Sequence, residues 1–528
     1  MPWIALSLLA LSVLMLSALP SVPAVRAASA PTLPPPLTRQ LRIAGIPSDH
    51  VSLYLRQVSS PRPALALNEQ VPRNPASVMK LLTTFVALDI LGPAYTWPTE
   101  AYVRGSLKRG RLHGDLILKG YGDPYLTPEA FWKFVWGLRQ RGLEVIDGDV
   151  VLDDSFFDTP LHDRGDFDGQ PHRVYNALPH PLSISFQAVQ LHLIPDRPAG
   201  RVRVFSDPPL ANLTIRNELE LVPSPCQGPN RWPELDIHQG PSGATVKLRG
   251  NYSSACPEST LACLVMDPAS HAGGAFSALW RDLGGRLEGK VRSGGVPFNA
   301  VLFHSMESRP LGEVIRAMNK YSNNLMSELL LLTMAAERHG QPGTVESGRV
   351  VLRDWLHAQG LDFPELVLDN GSGLSRAARV AAKSVGQLLL TAYESPYMPE
   401  FMASLAIAGV DGTVRRRVRN QPVAGRAHIK TGSLDGVSTM AGYVLGQDGD
   451  RWIVVLLVNH EGITPWQGAR LQDALLTWVA GLTGSPANAH PKIAIGPKEG
   501  CGPTVLEHRS QDDARSRAIL QRYVSAKE

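Results

Sequence analysis

Asn74-Pro75-Ala76-Ser77-Val78-Met79-Lys80-Leu81-Leu82 reads as the entry to a helix. Asn74 suits the cap, and Pro75 suits the first turn, where a missing N–H costs nothing. The apolar run through Phe85, Val86, Leu88 and Leu91 continues the helix until Gly92-Pro93 stops it. The spacing puts Ser77 and Lys80 on one helical face. A hydroxyl at the positive end of a helix becomes a nucleophile when an amine one turn away takes its proton. That requires an amine pKa lowered by burial or by a second cation. Ser-x-x-Lys is common by chance, and taken alone it equally describes a capped helix with a solvated lysine. The rest of the chain has to decide.

Upstream, Val51, Leu53 and Leu55 alternate with Ser52, Tyr54 and Arg56, and a turn at Ser59-Ser60-Pro61 leads to a second short strand at Ala64 to Leu67. A Pro-rich linker through Pro36 precedes this hairpin. Downstream, from Trp97 to Gly295, the chain changes to short strands, turns and proline, with one short helix at Gly273 to Leu283. Helical spacing then predicts helices over 311–320, 323–338, 346–359 and 384–393. Strands return at Ala427 to Thr431 and Ser438 to Leu445. Trp452 to Val458 is unbroken apolar sequence, which suits a strand covered on both faces, and an amphipathic helix follows Thr464-Pro465. The first hairpin lacks partners of its own and the closing strands can supply them. The expected organisation is therefore a discontinuous domain over 31–96 and 296–484, interrupted by a β-rich region over 97–295 in two subdomains.

The chain has 528 residues, 44% of them hydrophobic, a net charge of +4 and no long basic run, which excludes a phosphate-tracking nucleic-acid surface. Residues 1–30 read as a signal peptide, with an apolar run from Trp3 to about Leu19 and small residues suited to cleavage after Ala27 or Ala30. A retained membrane anchor, and with it peripheral membrane association, is the competing reading. The expected location is periplasmic. Beyond Gly484 periodicity is lost, and residues 485–528 read as a flexible tail. Four cysteines do not make a disulfide scaffold. In an oxidising compartment Cys226 with Cys256 is the first pairing to expect among the three possible, and Cys263 reads as a buried thiol. No zinc-binding spacing occurs, and neither metal nor cofactor is expected.

Two further motifs accompany Ser77 and Lys80. Tyr321-Ser322-Asn323-Asn324 falls at a helix-to-helix junction, where Ser322 and Asn324 can point out of a loop, although Ser322 or Asn323 could equally be a cap. Lys430-Thr431-Gly432-Ser433 falls on a strand whose glycine would let a substrate backbone lie close. Their order matches the S-x-x-K, S-x-N, K-T-G set of serine penicillin-recognising enzymes. On these motifs the chain resembles the class C low-molecular-mass penicillin-binding proteins, the DacB-like D-alanyl-D-alanine carboxypeptidase/endopeptidases of the bacterial cell wall. Gly114-Asp115-Leu116, Gly122-Asp123-Pro124, the run Asp369 to Arg376, and Gly409-Val410-Asp411-Gly412-Thr413 resemble landmarks of that family. So does the gap of about 240 residues between the first two motifs.

The resemblance implies an α+β penicillin-binding-protein/β-lactamase-like transpeptidase domain, a five-stranded antiparallel sheet flanked by helices, with a large insertion. It implies Ser77 as nucleophile, Lys80 as proton acceptor, Ser322 and Asn324 as proton carrier and amide holder, and Lys430 as a positive charge nearby. Backbone N–H groups of Ser77 and Ser433 would form the oxyanion hole. Thr431, Gly432 and Ser433 would bind substrate, and Asp153, in a turn after a strand, matches an acidic position near the substrate side chain. The implied substrates are peptidoglycan stem peptides, and the implied inhibitors are β-lactam antibiotics.

Weaker candidates carry plainer readings: Ser372 to Arg376 as a pocket wall or a structural turn, His428 as a strand residue, and His460 as a capping or packing residue. A β-lactamase would share the motifs but needs a deacylating group; Glu328 lies merely on the helix after Ser322. A non-catalytic peptidoglycan-binding protein is the remaining alternative, and the intact set Ser77, Lys80, Ser322, Asn324 and Lys430 argues against it.

Overall fold

The computed structural model describes residues 33–159, 163–228, 231–241 and 243–483. The expected signal peptide, the expected tail and Cys501 lie outside them. Helix α1 (Pro35–Ala44) opens the described chain and begins inside the stretch through Pro36 that reads as a Pro-rich linker. Pro35 occupies its first turn, so the proline that reads as a linker residue instead starts a helix. Strands β1 (Val51–Gln57) and β2 (Leu65–Leu67) form the antiparallel hairpin. A 3-10 turn at Ala76–Met79 then leads into α2 (Lys80–Leu91). Ser77 thus sits on a tight turn and not inside the regular helix, which begins at Lys80.

The long excursion that follows starts with the hairpin β3 (Pro98–Lys108) and β4 (Arg111–Gly120), then α3 (Pro128–Gln140), β5 (Val145–Ile146) and β6 (Val150–Asp153). It continues through β7 (Val189–Asp196), β8 (Arg201–Asp207), β9 (Leu213–Val222), β10 (Glu234–Gly240), β11 (Gly243–Ser253) and β12 (Ser259–Cys263). It ends with α4 (Pro268–Asp282), β13 (Arg286–Leu287), β14 (Val291–Ser293) and β15 (Val301–Glu307). Among the described residues these strands make one seven-stranded and two three-stranded sheets around a shared core. Helix α3 is absent from the sequence reading, which saw only turns and proline there. Yet Thr127 caps it, Pro128 starts it, and Phe131, Phe134, Val135 and Leu138 fall on its buried face. Strand β15 pairs with β3, so this sheet draws in residues beyond position 295. Cys226 and Cys256 are joined by a disulfide that closes a loop over a separation of 30 residues.

The chain then returns through α5 (Leu311–Tyr321), α6 (Asn324–His339), α7 (Val345–Ala358), α8 (Ala382–Glu394) and α9 (Met398–Ser404). It closes with β16 (Ala406–Ile407), β17 (Ala427–Leu434), β18 (Val437–Leu445), β19 (Arg451–Asn459) and α10 (Pro465–Ala480). The sheet is antiparallel in the order β16-β17-β18-β19-β1-β2, so a two-residue edge strand, β16, joins the five expected. Alternate residues of a strand face opposite sides. On β19, Ile453, Val455 and Leu457 pack with α2 and α5 to α9, while Val454, Leu456 and Val458 pack with α1 and α10. Helices on both faces explain why this strand is apolar throughout. The same burial covers Tyr54 on β1.

A smaller core joins the excursion to α6. Phe156, Phe157, Ala177 and Leu264 pack with Leu325, Leu329, Leu332 and Ala336. This contact holds the segment after β6 against the helix that begins at Asn324.

Candidate active site

The turn carrying Ser77 is held from several sides. Asn74 Oδ1 accepts the Ala76 N–H at 2.8 Å, and Pro75 O accepts both the Val78 N–H at 3.1 Å and the Thr439 hydroxyl at 2.7 Å. Asn74 is anchored in turn, its own N–H donating to Asn459 Oδ1 at 2.7 Å and its side chain to Ser375 O at 2.7 Å. Ala76 is driven into the left-handed region, with φ 45. Such a conformation costs a non-glycine residue about 1–3 kcal/mol and persists only where surrounding contacts over-determine it. Strand β17 crosses the turn at Gly432. A Cβ there would lie 2.8 Å from the Ser77 nitrogen and 2.3 Å from Thr439 Oγ1. The sequence reading assigned this glycine to the approach of substrate. The structure gives it a different neighbour, because the backbone of Pro75 and Ser77 occupies that space.

Lys80 is wholly buried, and its Nζ has three partners: Ser77 Oγ at 2.9 Å, Asn324 Oδ1 at 2.7 Å and Ser372 O at 2.5 Å. A neutral amine satisfies this set by donating to the two carbonyl oxygens and accepting from the serine hydroxyl. Burial lowers its pKa from 10.5 to about 7, and the Glu328 carboxylate acts in the opposite direction. The sequence offers two sources for such a lowering, burial and a second cation such as Lys430. Burial is the largest cause, because α2, α6 and the 370–376 loop surround the amine.

The junction between α5 and α6 divides its three residues by task. Ser322 ends α5 with φ 61, Asn323 caps α6 through its side chain, and Asn324 opens α6. Ser322 Oγ accepts from Lys430 Nζ at 2.8 Å, and Lys430 also donates to Thr431 O at 2.7 Å. Lys430 is fully buried, and its pKa is lowered well below the ordinary value, first by burial and then by the nearby Lys80. Lys320, two positions before Ser322, is buried too. It donates to Asp411 Oδ2 at 2.7 Å and to Leu405 O at 2.8 Å. The pair ties the end of α5 to the loop that leads toward β17.

Ser77, Ser322, Asn324 and Ser433 line a cleft of about 340 Å³, together with Gly373, Leu374 and Arg376. The insertion supplies the facing wall through Phe167, Asp168 and Tyr175. Asn324 Nδ2 donates to Tyr175 O at 3.1 Å, and the Arg376 guanidinium lies 4.8 Å from the Phe167 ring centre. A second cavity of about 1090 Å³ adjoins the cleft and shares Phe167, Leu374 and Arg376 with it.

The remaining sequence candidates separate clearly. Asp153 is 1% exposed, and its carboxylate accepts the backbone N–H groups of Ser155 and Val296, each at 2.9 Å, with Lys119 at 3.8 Å. It therefore closes a turn and is not free to meet a substrate, whereas its neighbour Asp154 lines the larger cavity. Thr431 pairs its hydroxyl with Thr413 at 2.8 Å. His428 contacts Met402 O at 3.2 Å, and His460 packs edge-on against His50. Burial pushes the Cys263 thiol up to about 12. The sequence reading missed Glu328 as a neighbour of Lys80, the wall formed by Phe167 and Tyr175, and the Lys320–Asp411 pair. The i, i+4 spacing of Asn324 and Glu328 was the one available signal for the first of these.

A model of the D-Ala-D-Ala carboxypeptidase 3 (S13) family matches residues 39–482. The chain is 30% identical over 452 residues to a D-alanyl-D-alanine carboxypeptidase from Actinomadura sp., across 81% of this chain and 80% of that one. It is 26% identical over 392 residues to the D-alanyl-D-alanine carboxypeptidase DacB of Haemophilus influenzae, across 73% of this chain and 80% of that one. The crystal structure of penicillin binding protein 4 (dacB) from Haemophilus influenzae superposes with a TM-score of 0.70 at 23% identity. That match covers 84% of this chain and 99% of that one, and demonstrates a common fold.

Proposed function

The chain belongs to the D-Ala-D-Ala carboxypeptidase 3 (S13) family, and from that premise we propose that it hydrolyses the D-Ala-D-Ala bond of peptidoglycan stem peptides through an acyl-enzyme on Ser77. It is a serine peptidase of the DacB-like penicillin-binding type. The observation that carries the mechanism is the set of partners around Lys80: a buried amine 2.9 Å from Ser77 Oγ, with a pKa of about 7.

Lys80, as the free base, takes the proton of Ser77 while Ser77 Oγ attacks the carbonyl carbon between the two D-alanines. Backbone N–H groups of Ser77 and Ser433 hold the developing oxyanion, the kind of preorganised donor pair that is worth most in a water-poor site. Ser322, hydrogen-bonded to Lys430, passes the proton collected by Lys80 to the departing D-alanine amine, which leaves Ser322 a hydroxyl and returns Lys80 to the free base. Asn324 orients the substrate amide by exchanging its contact with Tyr175 O for one with substrate. A carboxylate arriving beside Ser433 and Thr431 favours the protonated form of Lys430 and compensates for its burial. Water then adds to the acyl carbon, its proton returns through Lys80 to Ser77, and the shortened peptide leaves. β-Lactams acylate the same hydroxyl because they present a strained amide beside a carboxylate.

The adjoining cavity of about 1090 Å³ favours a second substrate form, the D-Ala-diaminopimelate cross-link, whose added bulk needs room beyond the cleft. We infer export to the periplasm from residues 1–30. No helix among the described residues is long and apolar enough to cross a membrane. Incubation with a fluorescent penicillin, followed by peptide mass spectrometry, tests the reading. A lasting adduct on Ser77 supports it, rapid turnover of the drug favours a β-lactamase, and no adduct at all overturns both. Side-by-side digestion of cross-linked and uncross-linked muropeptides separates endopeptidase from carboxypeptidase action.

A further inference from the structure

Glu328 lies one helical turn after Asn324 on α6, so the two side chains project from one face. Asn324 reaches Lys80 directly. Glu328 reaches it through Ser372, whose hydroxyl donates to Glu328 Oε1 at 2.9 Å and whose carbonyl accepts from Lys80 at 2.5 Å. The same hydroxyl lies 2.9 Å from Asn370 Oδ1 and accepts the Leu374 N–H at 3.2 Å. The Ser372 side chain is completely buried.

This arrangement satisfies Glu328 in both of its protonation states. As a carboxylate it accepts the Ser372 proton. As an acid it donates to Ser372 Oγ, and the serine proton turns to Asn370. We propose that Glu328 is a positioning residue for Lys80, which steadies the lysine's carbonyl partner through Ser372 and whose charge decides when the amine is a free base. The inference rests on the reading of Lys80 as the base that activates Ser77.

Several charged groups face Glu328. Lys80 approaches from α2, and Asp369 from the loop after α7, itself paired with Arg349 at 3.0 Å. Across the larger cavity onto which Glu328 opens lie Asp154, Asp158, His180 and Arg376. Burial raises the Glu328 pKa from 4.5 to about 7, Ser372 and Lys80 oppose the rise, and Asp369 adds to it. Glu328 and Lys80 therefore change charge in the same range. The carboxylate keeps a proton on Lys80, and the neutral acid releases it. Because Glu328 borders a cavity, it can exchange its proton without disturbing the cleft that holds the substrate.

The test is the pH profile of acylation by a fluorescent penicillin, read from about pH 5 to about pH 9. In Glu328→Gln the side chain stays neutral, so Lys80 loses the charge that keeps it protonated. The acidic limb should move down by about one pH unit, and Glu328→Asp should bring it back toward the parent position. Ser372→Ala is the second variant, for use if the glutamine variant does not fold. Loss of the serine proton favours the neutral acid at Glu328, so its limb should also move down. A limb that coincides with the parent's in every folded variant overturns the inference. If the parent protein takes no penicillin adduct, the proposed function fails instead, so the two failures are distinguishable.

Discussion

Gly432 lies against the backbone of Ser77, with room for a hydrogen but not for a methyl group: a Cβ at 432 would sit 2.8 Å from the Ser77 nitrogen and 2.9 Å from Pro75 O. Ser77, the proposed nucleophile, and the strand that would bind the product carboxylate are thus set at a separation that only glycine allows. In Gly432→Ala one of them must move. Overpacking of this kind costs about 1–3 kcal/mol, and displacement of a reacting group by about 1 Å can cost about 100-fold in rate. Calorimetry and penicillin-acylation kinetics should show both losses. An alanine variant that acylates at the parent rate would contradict this account of the glycine.

Removing the hydroxyl is the more direct perturbation. Ser77→Ala should lose the covalent penicillin adduct, and its D-Ala release should fall by about 1000-fold or more, as expected when a covalent nucleophile is deleted. Peptide mass spectrometry and amino-acid release assays measure the two effects. Full activity in the alanine variant would show that a different nucleophile operates.

The pH dependence follows from Lys80. Folding lowers its pKa from 10.5 to about 7, with burial as the largest cause. In the proposed mechanism the reactive form is the free base, so acylation should rise as pH passes through about 7 and fall about tenfold for each unit below it. The sign for stability is the same. Between about 7 and 10.5 the unfolded chain binds the proton that the folded one has lost, so this residue's contribution to stability increases as pH rises through that window. Stopped-flow acylation across pH tests the kinetic half; a flat profile would mean that Lys80 is not the base.

Lys320 and Asp411 form a pair in which the lysine side chain is 6% exposed and the carboxylate 30%. Asp411→Ala strands a buried ammonium. Breaking a fully buried pair costs about 3–5 kcal/mol, and the partial exposure of Asp411 brings the expectation toward the lower end. Because Lys320 precedes Ser322 by only two positions, acylation should slow as well. Chemical denaturation gives the first quantity. An unchanged midpoint would mean that water solvates the lysine as well as the aspartate does.

Phe156 is 3% exposed and packs in the cluster shared with Leu325, Leu329 and Leu332 of α6. Phe156→Ala should cost about 3–5 kcal/mol, as large-to-small changes of buried phenylalanine do. It should also loosen the wall that carries Tyr175. Limited proteolysis would then cut in the segment around Phe167 and Tyr175 sooner than in the parent, and an unchanged cleavage pattern would argue against that coupling.

Much of this protein is legible in its residues taken in order. Ser77 with Lys80, Ser322 with Asn324, and Lys430 to Ser433 are short-range patterns, because a helix turn or a strand repeat sets which neighbours face together. Helices α5 to α8 announce themselves by periodicity for the same reason, and strand β19 by an unbroken apolar run that suits a strand covered on both faces. Helix α3 and helix α1 do not, because their prolines read as loop when they in fact occupy first turns. From the sequence, Asp153 reads as the acidic residue near the substrate and Glu328 as a mere helix residue, and the fold reverses that order. Only the packed chain turns the Asp153 carboxylate onto backbone N–H groups and sets Glu328 behind Lys80. Likewise, no spacing says that Gly432 admits the Ser77 turn, or that Tyr175 meets Asn324. Those relations join segments far apart in sequence, and they depend on where buried surfaces close and which polar groups are left inside. The nature of the chemistry was written locally; the protonation states and the shape of the cleft were decided by burial, which is a property of the whole fold.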